Sequence, residues 1–301
     1  MQETRPLAST LCTLSGMLVL GASDNCLPFL TADNGLWLFQ ALRSALGMPV
    51  LLLLSLAGLG AFWPRRWGPV MARNFFHAAA MILYFGSLAF LPIGVVVAGL
   101  FTAPIFVLVI SVLFRGMRVG LWRWLAVAVG FAGALLVVKP DEGGLTLMSL
   151  APILAGLFYA IGAVATRAWC EGESTVALTA GYFALLGLLG AVGVGVLAIW
   201  PMDPPPGPDG WLARGWVPPD ATMLLWTGVQ AVGSVLGVAF LTKGYQLGEA
   251  SFVAVNEYSL VVFSSAFAWM MWGQTLGPLA LLGMAMIVAS GSVIALRSRA
   301  G

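Results

Sequence analysis

Four ionisable side chains interrupt runs of sequence that are apolar enough to cross a lipid bilayer: Asp24, Arg43, His77 and Glu257. A charged group at the middle of a membrane costs about 2.5–3.5 kcal/mol on insertion scales, so each of the four is expected to face a partner or a water-filled cavity. Arg43 carries the most specific chemistry. Its guanidinium is a permanent cation whose planar fork can hold a carboxylate through two parallel hydrogen bonds. Asp24 lies at a compatible depth, because a long Arg side chain can reach toward the interface. The pair reads as a structural salt bridge, as a contact to a solute or its gate, or as an arginine snorkelling to the interface.

His77 is the single histidine, and one imidazole builds neither a His-rich metal site nor a catalytic dyad. Met81 and Tyr84 follow it at four and seven residues, which puts all three on one helix face. That face either lines a cavity or packs as buried, hydrogen-bonded core. Glu257 sits inside the stretch ASFVAVNEYSLVVFSSAFAWMMWG, residues 250–273. Its neighbours Asn256 and Tyr258 are expected to orient it. Facing a polar cavity, its carboxylate would bind a cationic group or exchange a proton; otherwise it is a neutral acid hydrogen-bonded to the next helix. Tyr159, Tyr182 and Gln230 are further polar points inside apolar runs.

Composition dictates the elements that position these groups. Charged residues are 9% of the chain and hydrophobic ones 60%, and the mean hydropathy is +0.97, whereas soluble domains are about a quarter charged. Fourteen basic and twelve acidic residues cannot form a charged shell around 301 residues, so the bilayer is the solvent for most of the surface. The 37 Gly and 17 Pro are compatible with this, because in membrane helices neighbouring helices and local water recover the freed backbone groups. Cys12, Cys26 and Cys170 are odd in number and form no CxxC, which favours small packing residues over a disulfide framework or a metal site. No patch for nucleic acid and no GxxxxGK[ST] for an ATP site is found, and no cofactor is implied. Arg5 followed by the apolar run from Leu7 to Gly21 mimics a secretory signal, but its length and the many runs after it predict a retained first span.

A membrane helix needs about 20 apolar residues, and the chain divides into ten such runs: 8–28, 35–61, 73–91, 94–114, 120–138, 149–168, 176–200, 221–243, 250–272 and 276–296. Pro92 and Gly94 must turn the chain, because residues 73–114 are roughly twice the length of one span. Pro104 is expected to break the fourth span near its middle, where the ninth carries Asn256, Glu257 and Tyr258. Short cytoplasmic loops collect Lys and Arg. Arg5, Arg65, Arg66, Arg73, Arg115, Arg118, Arg123, Arg167, Lys243, Arg297 and Arg299, eleven of the fourteen basic residues, fall to one side of a ten-span chain. Loops on the other side hold Lys139 and Arg214, offset by Asp33, Asp141, Glu142, Asp203, Asp209 and Asp220. Both termini are therefore expected in the cytoplasm and the Pro/Gly-rich loop 201–220 outside. Trp63, Trp67, Trp122, Trp124, Trp200 and Trp272 at span ends, with Trp211 and Trp216 in the loop, fit interfacial anchors. Gly233 and Gly237, and the glycines of 187–195, predict close helix contacts.

The two halves repeat. A helix end, a tight joint, a long apolar span, a short joint and a Gly-bearing last helix occur in the same order around residues 88–138 and 244–296, with Gly116 answering Gly273 and Gly133 answering Gly291. Five spans per half is an odd number, so the second copy enters the membrane upside down, an arrangement that secondary transporters use around a midplane site.

The segments FQALRSALGMP, YFGSLAFLPIGVVVAGLFTAPIFVLVISVLF and NEYSLVVFSSAFAWMMWGQTL, in that order, resemble the EamA-type proteins of the drug/metabolite transporter superfamily over nearly the whole chain. Gly116-Met117 and Gly273-Gln274 stand where the family often has Gly-Glu, so no role of those acids carries over. GASDNCLPF looks like a branch that includes importers of cofactor-like or amino-acid-derived metabolites, while other members export amino acids. The resemblance implies an all-α integral membrane protein of ten transmembrane helices in two inverted five-helix repeats, residues 1–142 and 143–301, in a bacterial inner membrane. It implies a secondary transporter that moves an amino acid, an amino-acid derivative or a vitamin-like solute by alternating access. Asp24, Arg43, His77, Tyr84, Asn256, Glu257 and Tyr258 are the expected solute-binding or gating residues. The expected partners are the solute, membrane lipid and H+ as coupling ion through Glu257, Asp24 or His77; uniport or exchange needs no ion. The alternatives are a non-transport receptor or assembly protein, and an intramembrane enzyme, for which one histidine without a flanking Glu is poorly suited.

Overall fold

In lipid every backbone N–H and C=O must be satisfied within the protein, so long apolar runs fold as helices. The computed structural model describes residues 5–31, 34–91, 93–114, 116, 120–138, 147–273 and 277–297, and among these it contains helices and no strands. The α-helices are α1 (Pro6–Asp24), α2 (Pro28–Thr31), α3 (Leu36–Leu56), α4 (Trp67–Ser87), α5 (Ile93–Leu100), α6 (Ala103–Leu113), α7 (Leu121–Val138), α8 (Leu150–Ala168), α9 (Thr175–Ile199), α10 (Ala221–Leu247), α11 (Ala250–Glu257), α12 (Ser259–Trp272) and α13 (Pro278–Arg297). With short interruptions bridged, eight stretches among the described residues are long and apolar enough to cross a membrane. Arg73, Asn74 and His77 lower the hydropathy of α4, which is not among the eight, and the apolar run of α13 is shorter. Several sequence expectations lie outside the described residues: the turn at Pro92, the 142/143 boundary, Asp33, Arg115, Met117, Arg118, Lys139, Asp141, Glu142, Gln274 and Arg299.

Local chemistry sets the helix ends. Ser174 caps α9 by accepting from Val176 N at 3.1 Å, and Asp220 caps α10 by accepting from Met223 N at 2.7 Å, each satisfying a donor that the first turn leaves open. α12 ends on Gly273 at φ +64°, a left-handed position that costs glycine little. Two membrane stretches are interrupted midway. Pro104 has no N–H to offer the Leu100 carbonyl, and the helix stops at Leu100 and restarts at Ala103. The other stops at Glu257 and restarts at Ser259 without a proline.

Each long helix of the first half packs mainly on one helix of the second: α1 on α10, α3 on α9, α4 on α8 and α7 on α13, while α6 meets α11. Small residues permit the closest approaches, as the sequence predicts for α10. A Cβ on Gly16 would stand 2.8 Å from Gly237 O, and one on Gly133 would stand 2.6 Å from Gly283 O.

Charge separates the two ends of the bundle. At one end Glu173 accepts from the backbone N–H groups of Arg65 (2.9 Å) and Arg66 (2.7 Å), and Arg123 pairs with Glu249 while donating to Ser251 Oγ at 2.9 Å. Arg5, Arg167 and Lys243 border one surface pocket at this basic end. At the opposite end loop 201–220 folds over α3: Trp37 Nε1 donates to Leu212 O at 3.0 Å and Arg214 to Asn34 O at 2.9 Å. Two expectations are corrected here. Trp211 is 1% exposed and packs on Phe39, so it is core and no interfacial anchor. Arg73, counted from sequence with the loop charges, is 3% exposed inside the bundle, because α4 begins at Trp67, well before the predicted span.

Candidate functional site

A cavity of about 150 Å³ runs between the helices and carries two polar stations. Asp24, Arg43 and Gln230 form the first, toward the loop end. Arg73, His77 and Glu257 belong to the second, toward the basic end, and Met81 and Tyr84 of α4 also face the cavity.

At the first station α3 places Phe39 one turn before Arg43, so the ring lies beneath the guanidinium. The guanidinium carbon is 5.2 Å from the Phe39 ring centre, 5.5 Å from Phe85 and 5.6 Å from Phe183. Three aromatic faces thus hold a cation that is 3% exposed. Arg43 Nη1 donates to Gln230 Oε1 at 3.5 Å, and Gln230 Nε2 donates to Asp24 Oδ1 at 3.2 Å. The direct Asp24–Arg43 salt bridge expected from sequence is absent among the described residues, because the Gln230 amide stands between the two charges. Arg43 Nε and Nη2 make no close hydrogen bond among the described residues, and the Tyr182 hydroxyl stands beside the guanidinium. These two nitrogens form the side edge of the fork, the geometry that suits a bidentate oxyanion.

At the second station the Glu257 carboxylate accepts hydrogen bonds from the hydroxyls of Tyr245 and Tyr159. Neither Asn256 nor Tyr258 orients it, contrary to expectation. Asn256 Nδ2 turns back to Phe252 O at 3.3 Å, and the Tyr258 hydroxyl donates to Phe101 O at 3.2 Å. Both residues are buried behind the cavity wall, because adjacent residues on a helix point about 100° apart. Arg73 Nε donates to Thr166 Oγ1 at 3.0 Å, Nη1 to Asn74 Oδ1 at 2.7 Å and Nη2 to Thr242 Oγ1 at 3.2 Å. Nη1 also donates to Leu178 O at 3.5 Å, so the charge of Arg73 is met by neutral oxygens from α8, α9, α10 and its own helix. The His77 ring stands edge-on to Tyr159 at 5.1 Å and to Tyr182 at 6.3 Å, seated where Gly162 leaves room.

Five of the seven sequence-named residues therefore face one cavity: Asp24, Arg43, His77, Tyr84 and Glu257. Sequence reasoning missed Arg73 and Tyr245. Arg73 was detectable as the first member of a polar stripe through His77 and Tyr84 on one face of α4. Tyr245 had no local signal, since a turn separates it from the carboxylate that it serves. With its three polarities (an open guanidinium edge, a hydrogen-bonded carboxylate and aromatic walls), the cavity can hold a small organic molecule that carries an oxyanion and a donor or cation.

The sequence model of the EamA-like transporter family matches residues 9–139 and again 146–296. A pseudopaline exporter of Pseudomonas aeruginosa is 27% identical over 82% of this chain and 82% of its own length. A riboflavin transporter of Rhizobium johnstonii is 27% identical over 88% of this chain and 80% of its own length. A solved crystal structure of a protein shares the fold, with a TM-score of 0.78 over 97% of both chains at 17% identity.

Proposed function

This chain belongs to the EamA-like transporter family, whose members are transporters and not enzymes, and on that premise we propose that it is a secondary transporter of a small organic metabolite, working by alternating access. The solute is an amino acid, an amino-acid derivative or a vitamin-like molecule that bears a carboxylate or similar oxyanion. One observation carries this reading: a buried guanidinium whose Nε and Nη2 make no close hydrogen bond among the described residues, with the neutral Tyr182 hydroxyl beside it, borders the cavity between the helices. An uncompensated polar edge in a membrane interior is costly unless something binds there. Arg43 receives the oxyanion, Glu257 receives a cationic or donor group or exchanges a proton, and Asp24, His77 and Tyr84 shape the space between. Asn256 and Tyr258 act from behind the wall.

The architecture that suits this activity is ten spans in two inverted repeats, with the second beginning near residue 143. Two features support it. The family model matches the chain twice, and helix pairing has the required symmetry. With α1, α3, α4, α5–α6 and α7 as spans one to five, and α8, α9, α10, α11–α12 and α13 as six to ten, exchanging each span with the one five places on converts the one–eight pair into six–three. The same exchange converts four–six into nine–one and leaves two–seven and five–ten unchanged, and these six are the main packed pairs. Gly116 and Gly273, after the interrupted spans, both have positive φ, +59° and +64°. Gathering of basic residues at one end supports cytoplasmic termini in a bacterial inner membrane.

The test is a thermal-shift screen of the purified protein against amino acids, their derivatives and vitamins, followed by flux of the stabilising compounds into liposomes. Flux that disappears in Arg43→Ala while the variant stays folded is the expected result. Binding without flux in any gradient would instead mark a receptor.

A further inference from the structure

Tyr258 has no place in the cavity, yet it is 0% exposed and occupies the single residue between α11 and α12. Its hydroxyl reaches across to the interruption of the other broken stretch, donating to Phe101 O at 3.2 Å, and the two rings meet edge to face at 5.9 Å. The acceptor is an orphan of that interruption. In a continuous helix Phe101 O would accept from Ile105 N, but Ile105 N donates to Thr102 O at 3.0 Å and Phe106 N to the same oxygen at 3.2 Å. A carbonyl without a partner at membrane depth is costly, so the Tyr258 hydroxyl holds the α5–α6 bend in its present form. The preceding residue, Glu257, faces into the cavity, bonded to Tyr245 and Tyr159. Two adjacent residues at a one-residue interruption thus hold different attachments, one to the cavity and one to the bend of a second helix.

We propose that Tyr258 couples the state of Glu257 to the bend between α5 and α6: when the Glu257 carboxylate changes partner, α11 rotates at its junction with α12 and the Tyr258 hydroxyl draws or releases the Phe101 carbonyl. The two broken stretches then move as one gate element, and occupancy of the cavity reaches a helix that does not itself supply the carboxylate. Space around the ring is fitted to this task. A Cβ on Gly130 would lie 2.6 Å from Tyr258 Cδ2, so the aromatic ring lies against a residue that offers no side chain. The role of this coupling in transport rests on the transporter reading, whereas the coupling itself is measurable without any solute.

The experiment uses the full chain in lipid nanodiscs with Cys12, Cys26 and Cys170 replaced by Ala and spin labels at Phe90 and Leu113, two exposed positions that flank α5 and α6. Glu257→Gln neutralises the carboxyl and serves as the input, and the inter-label distance distribution is the output. The expected result is a shift of roughly 2 Å or more, the scale of switching helix motions, on Glu257→Gln, and its loss when Tyr258→Phe is added. An equal shift with and without the hydroxyl overturns the proposal, and so does the absence of any shift on Glu257→Gln. If Tyr258→Phe does not fold, Gly130→Ala replaces it, because crowding the ring should break the same bond; a full shift in Gly130→Ala overturns the proposal as well. Folded protein that fails this test yet transports solute leaves the transporter reading intact, while flux failure with a normal distance response removes that reading alone.

Discussion

Arg43 is where residue-level chemistry is most exposed to test. On the proposed reading Arg43→Lys keeps the charge and loses the fork, so a carboxylate-bearing solute should bind at least about tenfold more weakly, or about 1.4 kcal/mol. Arg43→Ala should cost roughly 2 kcal/mol or more, since it removes the partner of a desolvated anion. Both are read by equilibrium binding to detergent-purified protein whose folding is verified by its melting curve. Gln230→Glu sets a carboxylate against Arg43 Nη1 and should also weaken the anion. Unchanged affinity in all three variants would remove Arg43 from the site. For Glu257, the Gln variant keeps size and hydrogen-bonding ability but cannot titrate. Flux that follows pH in the wild type should become flat in Glu257→Gln; identical rates and pH profiles would make Glu257 a structural residue. Intramembrane charge alone pointed to Asp24, Arg43, His77 and Glu257. Gln230 and Tyr159 were legible as polar points inside apolar runs, but their partners, the phenol of Tyr245 and the burial of Arg73 were hidden, because each depends on which helix stands opposite.

At the scale of elements, α1 approaches α10 closely at Gly16 and Gly237, and α7 approaches α13 closely at Gly133 and Gly283. Gly16→Val places its Cβ 2.8 Å from Gly237 O, against backbone that cannot rotate away, so α1 must move. Overpacking of this kind costs about 1–3 kcal/mol, and the variant should melt several degrees lower than wild type in detergent. An unchanged melting temperature would mean that α1 and α10 have room to part. The GxxxG of Gly233 and Gly237 made this crossing readable from sequence, since small residues at four-residue spacing form a flat stripe. Pro104 made the α5–α6 interruption readable through its missing N–H. Nothing comparable announced the interruption at Tyr258, where no proline or glycine stands and where tertiary partners hold the residues on each side.

Charge distribution governs the molecule as a whole. If the basic end is cytoplasmic, a cysteine introduced at Met202, exposed on the loop that follows α9, should react with a membrane-impermeant reagent added to intact cells, and one at Trp63, exposed between α3 and α4, should not. A protein without Cys12, Cys26 and Cys170 is the background for both. The opposite pattern would invert the topology, and labelling at both sites would refute a single orientation. Positive charge is the basis of this expected orientation, because the rule acts on short segments near span ends regardless of how the helices later pack.

The sequence by itself determined that this chain lives in lipid, where most of its helices begin and end, α4 excepted, and that Asp24, Arg43, His77 and Glu257 are ionisable groups inside apolar runs. These follow from local quantities: hydropathy summed over a span, proline and capping chemistry, and the cost of a charge in hydrocarbon. Only the tertiary structure decided that Gln230 separates Asp24 from Arg43, that Arg73 is an interior cation held by Thr166 and Thr242, and that Glu257 and Tyr258 hold different partners at one helix junction. Hydrogen bonds between helices join residues as far apart as Tyr258 and Phe101, and no pattern along the chain encodes which neighbour satisfies a buried polar group; that is fixed when the helices close around the cavity.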